Sequence, residues 1–112
     1  MQSRKIIVYG TLKQGFSNSL DKFGGTKIKN IVLNGWDMYT NSWYPQVVPG
    51  KGSIKAELWE VPEYSMEDLD SYEGHPTLFK RTPIEELDAE MYVYQGSVKN
   101  HTRLQSGVFE GR

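Results

Sequence analysis

The sequence predicts an α+β domain, built on a mixed sheet or small barrel of five to seven short strands with one or two short helices. Three observations support this prediction. The stretch KIIVYGTL (5–12) starts as a continuous apolar run, which is typical of a strand buried on both faces. Apolar and polar residues alternate in 26–40 and in 53–61, as in strands with one buried face. The segment 65–73 has helical spacing instead.

The first half of the chain reads as strands separated by turn residues. The first strand ends at Gly10, and a loop rich in Gly, Ser and Asn follows it. Within 26–40, the pair Asn34–Gly35 is a strong turn signal, so we expect two strands joined there by a tight turn. The segment 41–53 has two prolines and two glycines, which predicts an irregular loop with a turn at Pro49–Gly50.

The second half contains the predicted helix and a last pair of strands. Ser65 is a candidate N-cap, and Asp68 three residues later resembles part of a capping box. Gly74 is placed to end the helix at its C-terminus. The stretches 78–87 and 89–97 read as the final pair of strands.

Composition limits the function classes. At 112 residues the chain is one domain, 1–112, and the absence of cysteine excludes disulfides and thiol catalysis, which favours the cytoplasm. A net charge of −1 argues against a nucleic-acid partner, and no apolar run is long enough for a membrane span. The N-terminus lacks a secretory signal pattern. The only two histidines, His75 and His101, have no carboxylate at a metal-ligand spacing, so no metal site is expected.

The first segment that could carry chemistry is VYGTLKQG (8–15). A buried strand that runs into Gly10 brings main-chain N–H groups to the strand end, where no side chain blocks approach. The amides of Gly10–Lys13 could therefore hold a carboxylate or an oxyanion. A turn without function is the commoner origin of such a stretch, and the segment has neither a Walker nor a dinucleotide-binding spacing.

The second segment is LDSYEGHP (69–76), which places Glu73 at a helix C-terminus, where the helix dipole disfavours negative charge. Most glutamates in such positions are solvated. Here Tyr72, Leu78 and Phe79 could desolvate the carboxylate and raise its pKa, as a general base requires. The periodicity of the helix does not choose among its acids, since Glu67 and Asp70 lie close by.

Taken together, these segments resemble the gamma-glutamylcyclotransferase-like family. The likeness rests on YGTL within 8–15, on YPQVVPGKGSIKAELWEV (44–61), on LDSYEGHPTLFKR (69–81) and on MYVYQG (91–96). Order and spacing agree over almost the whole chain. The resemblance implies a small mixed β-barrel with flanking short helices, which agrees with the strand count. One departure is Phe79, since the family commonly has Tyr after the catalytic Glu.

The resemblance implies an enzyme that cyclises a γ-glutamyl amine or peptide to 5-oxoproline and releases the free amine. Glu73 falls on the family's general base, the amides of Gly10–Lys13 would bind the substrate, and no cofactor is required. Asp70 is then expected on the helix surface, with Glu73 facing a pocket. The implied substrate-binding residues are Tyr9, Gly10, Thr11, Leu12, Lys13, Tyr44, Phe79 and Tyr94.

Two alternatives stay open. In one, the same cavity sequesters a small polar or nucleotide-like metabolite without chemistry, through stacking on aromatic residues: Tyr9, Trp43, Tyr44, Phe79 and Tyr94. In the other, the domain is a structural interaction module that tolerates substitution of Glu73. The expected partner is a γ-glutamyl substrate or a related metabolite, and the sequence leaves monomer and homodimer both open.

Overall fold

The structure, a computed structural model, describes residues 2–10, 12–13, 15–16, 19–41 and 43–109. Its strands are β1 (Ser3–Val8), β2 (Thr26–Thr40), β3 (Pro45–Pro62), β4 (Phe79–Ile84), β5 (Ala89–Tyr94) and β6 (Thr102–Arg103). The α-helix of the described part is α1 (Met66–Glu73). Short 3-10 turns occupy Leu20–Phe23, Glu63–Ser65 and Glu85–Leu87.

The six strands form one sheet in the order β4-β5-β1-β3-β2-β6, curled into a half-barrel. Strand β1 lies at the centre, antiparallel to β3 and parallel to β5. The other neighbouring pairs are antiparallel, so the sheet is mixed. The predicted α+β class, with a mixed sheet of five to seven strands, is confirmed.

Strand β1 is buried on both faces, as its apolar run predicts. Ile7 packs into one hydrophobic core with Met91 of β5. Ile6 and Val8 point to the opposite face, where they join a second core with Leu69 of α1. Because successive side chains of a strand alternate between faces, the continuous apolar run serves both cores at once.

The predicted turn at Asn34–Gly35 is wrong, because β2 continues through it to Thr40. Asn34 pairs with Ser53 and Trp36 with Pro49, so the register shifts at this point and β3 bulges over 50–52. Gly35 adopts the left-handed conformation at φ 92°, which Asn–Gly pairs supply to bulges as well as to turns. The Asn34–Gly35 pair therefore marks a bulge inside a long hairpin and not the turn that joins two strands.

The predicted irregular loop over 41–53 is also wrong in extent, since β3 already begins at Pro45. The turn that remains is fixed by Asn41, whose Oδ1 accepts hydrogen bonds from the N–H groups of Trp43 (2.9 Å) and Tyr44 (3.1 Å). Such side-chain bonds to the following main chain are a common way to close a turn. This turn sets the position of Tyr44 at the tip of the hairpin.

The two ends of α1 differ in how far the sequence predicts them. Ser65 does not cap the helix through its side chain, because its Oγ donates to the carbonyl of Phe23 at 2.6 Å. Gly74 ends the helix as predicted, at φ 67°. The amide of Gly74 donates to Ser71 O and that of His75 to Asp70 O, which is the Schellman pattern. Among the described residues, no helix has the length and apolar character to cross a membrane.

Candidate functional site

A cavity of about 240 Å³ opens at the C-terminal end of β1. It lies where β1, the tip of the β2–β3 hairpin, the end of α1, the start of β4 and the middle of β5 meet. Its volume falls below the range of about 300–1,000 Å³ for pockets of drug-sized ligands, so it suits a small metabolite. The lining residues are Ile7, Val8, Tyr9, Gly10, Leu12, Tyr44, Pro45, Tyr72, Glu73, Leu78, Phe79 and Tyr92.

Glu73, the last residue of α1, is the acidic residue of this lining. Its side chain is partly buried and makes no hydrogen bond or ion pair with the other described residues. Burial raises the pKa of Glu73 from 4.5 to about 7, because the apolar surroundings disfavour the charged form. A carboxyl group with this pKa can accept and return a proton near neutral pH.

The structure separates Glu73 from the other acids of α1. Glu67 is exposed, away from the cavity lining. Asp70, expected on the helix surface, is instead partly buried, and that expectation is wrong. Its carboxylate accepts the hydroxyl of Tyr92 at 2.7 Å and Nη1 of Arg81 at 3.0 Å from each oxygen. The helical spacing alone does not distinguish these acids, but their surroundings do: Glu73 lines the cavity, Asp70 is bound to Tyr92 and Arg81, and Glu67 is exposed.

Arg81 ties the chain on both sides of Glu73 to the sheet. Its side chain binds Asp70, and its Nε also pairs with Glu90 of β5 at 3.2 Å. Its main-chain N–H donates to Nδ1 of His75 at 3.0 Å. Residues 70 and 75 are thus both held by one residue of β4, which fixes the helix end between them.

Tyr9 forms the cavity wall at the end of β1. The side chain is buried, and its hydroxyl donates to the carbonyl of Tyr92. Burial and the nearby charge of Glu73 raise the pKa of Tyr9, so the phenol stays neutral at physiological pH. A neutral hydroxyl bound in this way fixes the ring rather than supplying charge.

Gly10 and Leu12 of the predicted substrate loop line the cavity, and Gly10 does so with its main chain. A Cβ on Gly10 would lie 2.8 Å from Cγ of Pro45, so the strand end and the hairpin tip approach too closely for a side chain. Thr11, also predicted in the site, lies outside the described residues.

Lys13 stands apart from the cavity lining. Its main-chain N–H donates to Gly10 O at 3.0 Å and closes the turn. Its Nζ donates to the carbonyl of Phe109 at 2.8 Å and lies 5.2 Å from the ring centroid of Phe16. These contacts anchor the loop to the C-terminal segment, whose Phe109 is buried in the core.

The predicted aromatic residues form a row of rings. The centroids of Tyr44 and Phe79 lie 5.8 Å apart, and those of Phe79 and Tyr94 lie 5.5 Å apart. Tyr44 and Phe79 line the cavity, whereas Tyr94 packs behind Phe79 and beside His101. Trp43 is 67% exposed.

Tyr92 is the lining residue with a polar group that the sequence analysis missed. It lies opposite Arg81 in the β4–β5 register. It is also two residues before Tyr94, so the strand period places both rings on one face. This alternation could have indicated that Tyr92 lies near the site. Its hydrogen bond to Asp70 could not be predicted in this way, because it depends on where α1 packs.

Among the residues that the structure describes, no group of three or more His, Asp or Glu side chains could hold a metal ion. In the described part, the main chain of Gly10 lines the cavity, and the polar side chains of the lining are the carboxyl group of Glu73 and the hydroxyls of four tyrosines: Tyr9, Tyr44, Tyr72 and Tyr92.

Comparison with known proteins identifies the family. The profile of the family described as "Gamma-glutamyl cyclotransferase, AIG2-like" matches residues 6–111. The gamma-glutamylcyclotransferase family protein YtfP of Escherichia coli K12 is 27% identical over 105 residues, covering 92% of this chain and 93% of that protein.

Solved structures agree. The solution structure of E. coli ytfP superimposes with a TM-score of 0.79 at 26% identity, covering 95% of this chain and 96% of that one. A crystal structure of a Pyrococcus horikoshii protein gives a TM-score of 0.79 at 27% identity, covering 96% and 90%. A mouse AIG2-like protein shares the fold, with a TM-score of 0.81 at 20% identity, covering 98% and 90%. The chain belongs to the gamma-glutamyl cyclotransferase, AIG2-like family.

Proposed function

We propose that this protein cyclises a γ-glutamyl amine or peptide to 5-oxoproline and releases the free amine, with Glu73 as the general base. The observation that carries the proposal is the position of Glu73: a partly buried carboxyl group with a pKa of about 7 on the wall of the cavity. A group that titrates near the working pH is best suited to proton transfer.

The reaction needs one group that accepts a proton and then returns it. The substrate's α-ammonium loses a proton to Glu73, and the amine nitrogen then attacks the γ-carbonyl carbon to form the lactam C–N bond. The bond from that carbon to the leaving nitrogen breaks, and Glu73 returns its proton to this nitrogen. A second proton passes from the attacking nitrogen, so the amine leaves as an ammonium ion and the products balance the substrate.

The loop after β1 provides the donors for the substrate's α-carboxylate and its γ-carbonyl oxygen. The amide of Lys13 is engaged with Gly10 O, so the proposal rests on the earlier amides of the loop, in which Gly10 and Leu12 line the cavity. Main-chain N–H groups aimed at a developing oxyanion are an effective form of electrostatic stabilisation. The bulk of Pro45 against Gly10 keeps this segment in place.

Positioning supplies the rest of the rate. The reaction is intramolecular, and a small cavity holds the amine against the carbonyl, which can replace several kcal/mol of barrier. The rings of Tyr44 and Phe79 form an apolar wall for the remainder of the substrate. Among the residues that the structure describes, the lining includes no cysteine or serine side chain, and the proposed mechanism requires none.

The test is product analysis with the purified protein. We expect 5-oxoproline and free amine in equal amounts from at least one member of a γ-glutamyl panel: an alkyl amide, a dipeptide and ε-(γ-glutamyl)-lysine. The matching α-glutamyl compounds are the control, since their cyclisation releases no amine. If the panel yields no 5-oxoproline, and the protein instead carries an intact metabolite that incubation leaves unchanged, the proposal is wrong and the cavity only binds.

A further inference from the structure

Tyr92 of β5 bridges the cavity and the helix that carries Glu73. Its ring lines the cavity, while its hydroxyl donates to Oδ1 of Asp70 at 2.7 Å. Asp70 precedes Glu73 by three residues, so both side chains lie on the same side of α1. The proposed mechanism gives no role to this hydroxyl, although it lies close enough for the charge of Glu73 to act on it.

The hydrogen-bond partners of Tyr92 determine what its oxygen can do. Asp70 is an acceptor held by Arg81, so the phenolic hydrogen is committed to it. Burial, the hydrogen bond to Asp70 and its charge raise the pKa of Tyr92, and the phenol therefore keeps this hydrogen at neutral pH. A tyrosine oxygen whose hydrogen is engaged still has lone pairs, and it can only accept from a further partner.

A cationic amine is the ligand that fits such an acceptor beside a carboxyl group. The cavity lining contains no lysine or arginine among the described residues, so Glu73 and Tyr92 have no competing cation within it. The rings of Tyr9 and Tyr92 bound the same space, and the hydroxyl of Tyr9 is engaged with the Tyr92 carbonyl. The oxygens of Tyr9 and Tyr92 both keep lone pairs, and that of Tyr92 is the one bound to α1, the helix that ends in Glu73.

We propose that Tyr92 accepts a hydrogen bond from the substrate's α-amine and, together with Glu73, orients its nitrogen toward the γ-carbonyl. Asp70 is the positioning residue, because it fixes the direction of the Tyr92 hydroxyl. The inference rests on the proposed function for the identity of the ligand. It extends that function by giving the amine a second partner.

The test compares two ligands that differ only in the amine: γ-glutamyl-benzylamide and glutaric acid mono-benzylamide. Binding is measured by calorimetry in a Glu73→Gln background, where the first ligand should remain intact. We expect Tyr92→Phe to lower the affinity for γ-glutamyl-benzylamide about five-fold, as the loss of one hydrogen bond implies. The affinity for the des-amino ligand should stay within about two-fold of its value without this substitution. Tyr64→Phe is the control, since it removes a hydroxyl from an exposed tyrosine outside the cavity lining, and it should change the binding of neither ligand.

Asp70 is tested in the same background. Asp70→Ala should reproduce the amine-specific loss, and Asp70→Asn, which keeps an oxygen acceptor for Tyr92, should restore much of the binding. Equal losses for both ligands, or no loss with Tyr92→Phe, would overturn the inference, as would failure of both ligands to bind. If wild type forms no 5-oxoproline but the amine-specific loss is seen, the proposed chemistry fails and the assignment of Tyr92 stands.

Discussion

Tyr92 of β5 donates its hydroxyl hydrogen to Asp70 of α1 over 2.7 Å, and this bond joins the sheet to the helix that ends in Glu73. Arg81 of β4 closes the arrangement by binding both Asp70 and Glu90. This polar network therefore holds the helix end in place, and the carboxyl group of Glu73 is not part of it. This arrangement leaves Glu73 free to exchange protons while its main chain stays fixed.

The first prediction concerns pH. Because burial raises the pKa of Glu73 to about 7, the base form is scarce in acid. We expect kcat/KM for 5-oxoproline formation to fall about tenfold per pH unit below that value. The profile is measured between pH 5 and 8.5, alongside an NMR titration of the Glu73 side-chain carboxyl. A flat profile, or a carboxyl that titrates near its ordinary value, would contradict the assignment.

The second prediction concerns stability. The folded state binds a proton at Glu73 more tightly than the unfolded state does, so the free energy of unfolding decreases as pH rises from 4.5 to about 7. Glu73→Gln removes this penalty. We expect the variant to be more stable than wild type by on the order of 2 kcal/mol at pH 8 and similar to it at pH 4. Urea denaturation at the two pH values measures this, and a variant that is less stable at pH 8 would argue that Glu73 has a stabilising partner.

The third prediction concerns the contact between β1 and the hairpin tip. A methyl group on Gly10 would lie 2.8 Å from Cγ of Pro45. Gly10→Ala should therefore lower the free energy of unfolding by about 1–3 kcal/mol, and it should raise KM because the loop moves. Pro45→Ala removes the obstructing ring. In the double variant, thermal denaturation and KM should show part of the loss recovered. Strictly additive losses would show that the contact is not the cause.

The fourth prediction compares two ion pairs of different exposure. The side chains of Arg81 and Asp70 are 19% and 25% exposed, whereas Arg103, paired with Asp37 at 3.1 Å, is 45% exposed. Arg81→Gln should lower the free energy of unfolding by about 2 kcal/mol, and Arg103→Gln by less than about 1 kcal/mol. Chemical denaturation of both variants at moderate salt tests this, and equal losses would mean that the Asp70 network contributes no more than a surface pair.

Sequence reasoning succeeded where the signal was local. The apolar run of β1 and the glycine that ends α1 each follow from the physics of a few neighbouring residues. It failed at Asn34–Gly35, because the same dipeptide serves a hairpin turn and a bulge, and only pairing with β3 decides between them.

The same distinction holds for the site. The segments around Gly10 and Glu73 could be named from their composition and from the family resemblance, and the fold brings both to one cavity. The role of Asp70 could not be predicted, since its partners come from β4 and β5, 11 and 22 residues away. Lys13 lies in the predicted loop, yet its amide closes the turn and its ammonium binds the tail, contacts that no local pattern reveals.

The most direct test of the account removes the base and leaves the helix intact. Wild type, Glu73→Gln and Glu67→Gln are compared for 5-oxoproline release from the best γ-glutamyl substrate at pH 8. Glu67 lies on the same helix but is exposed, so its variant is the matched control. We predict that Glu73→Gln loses at least about a hundredfold in kcat while Glu67→Gln stays within about twofold of wild type. Retention of wild-type turnover by a folded Glu73→Gln variant would contradict the central claim.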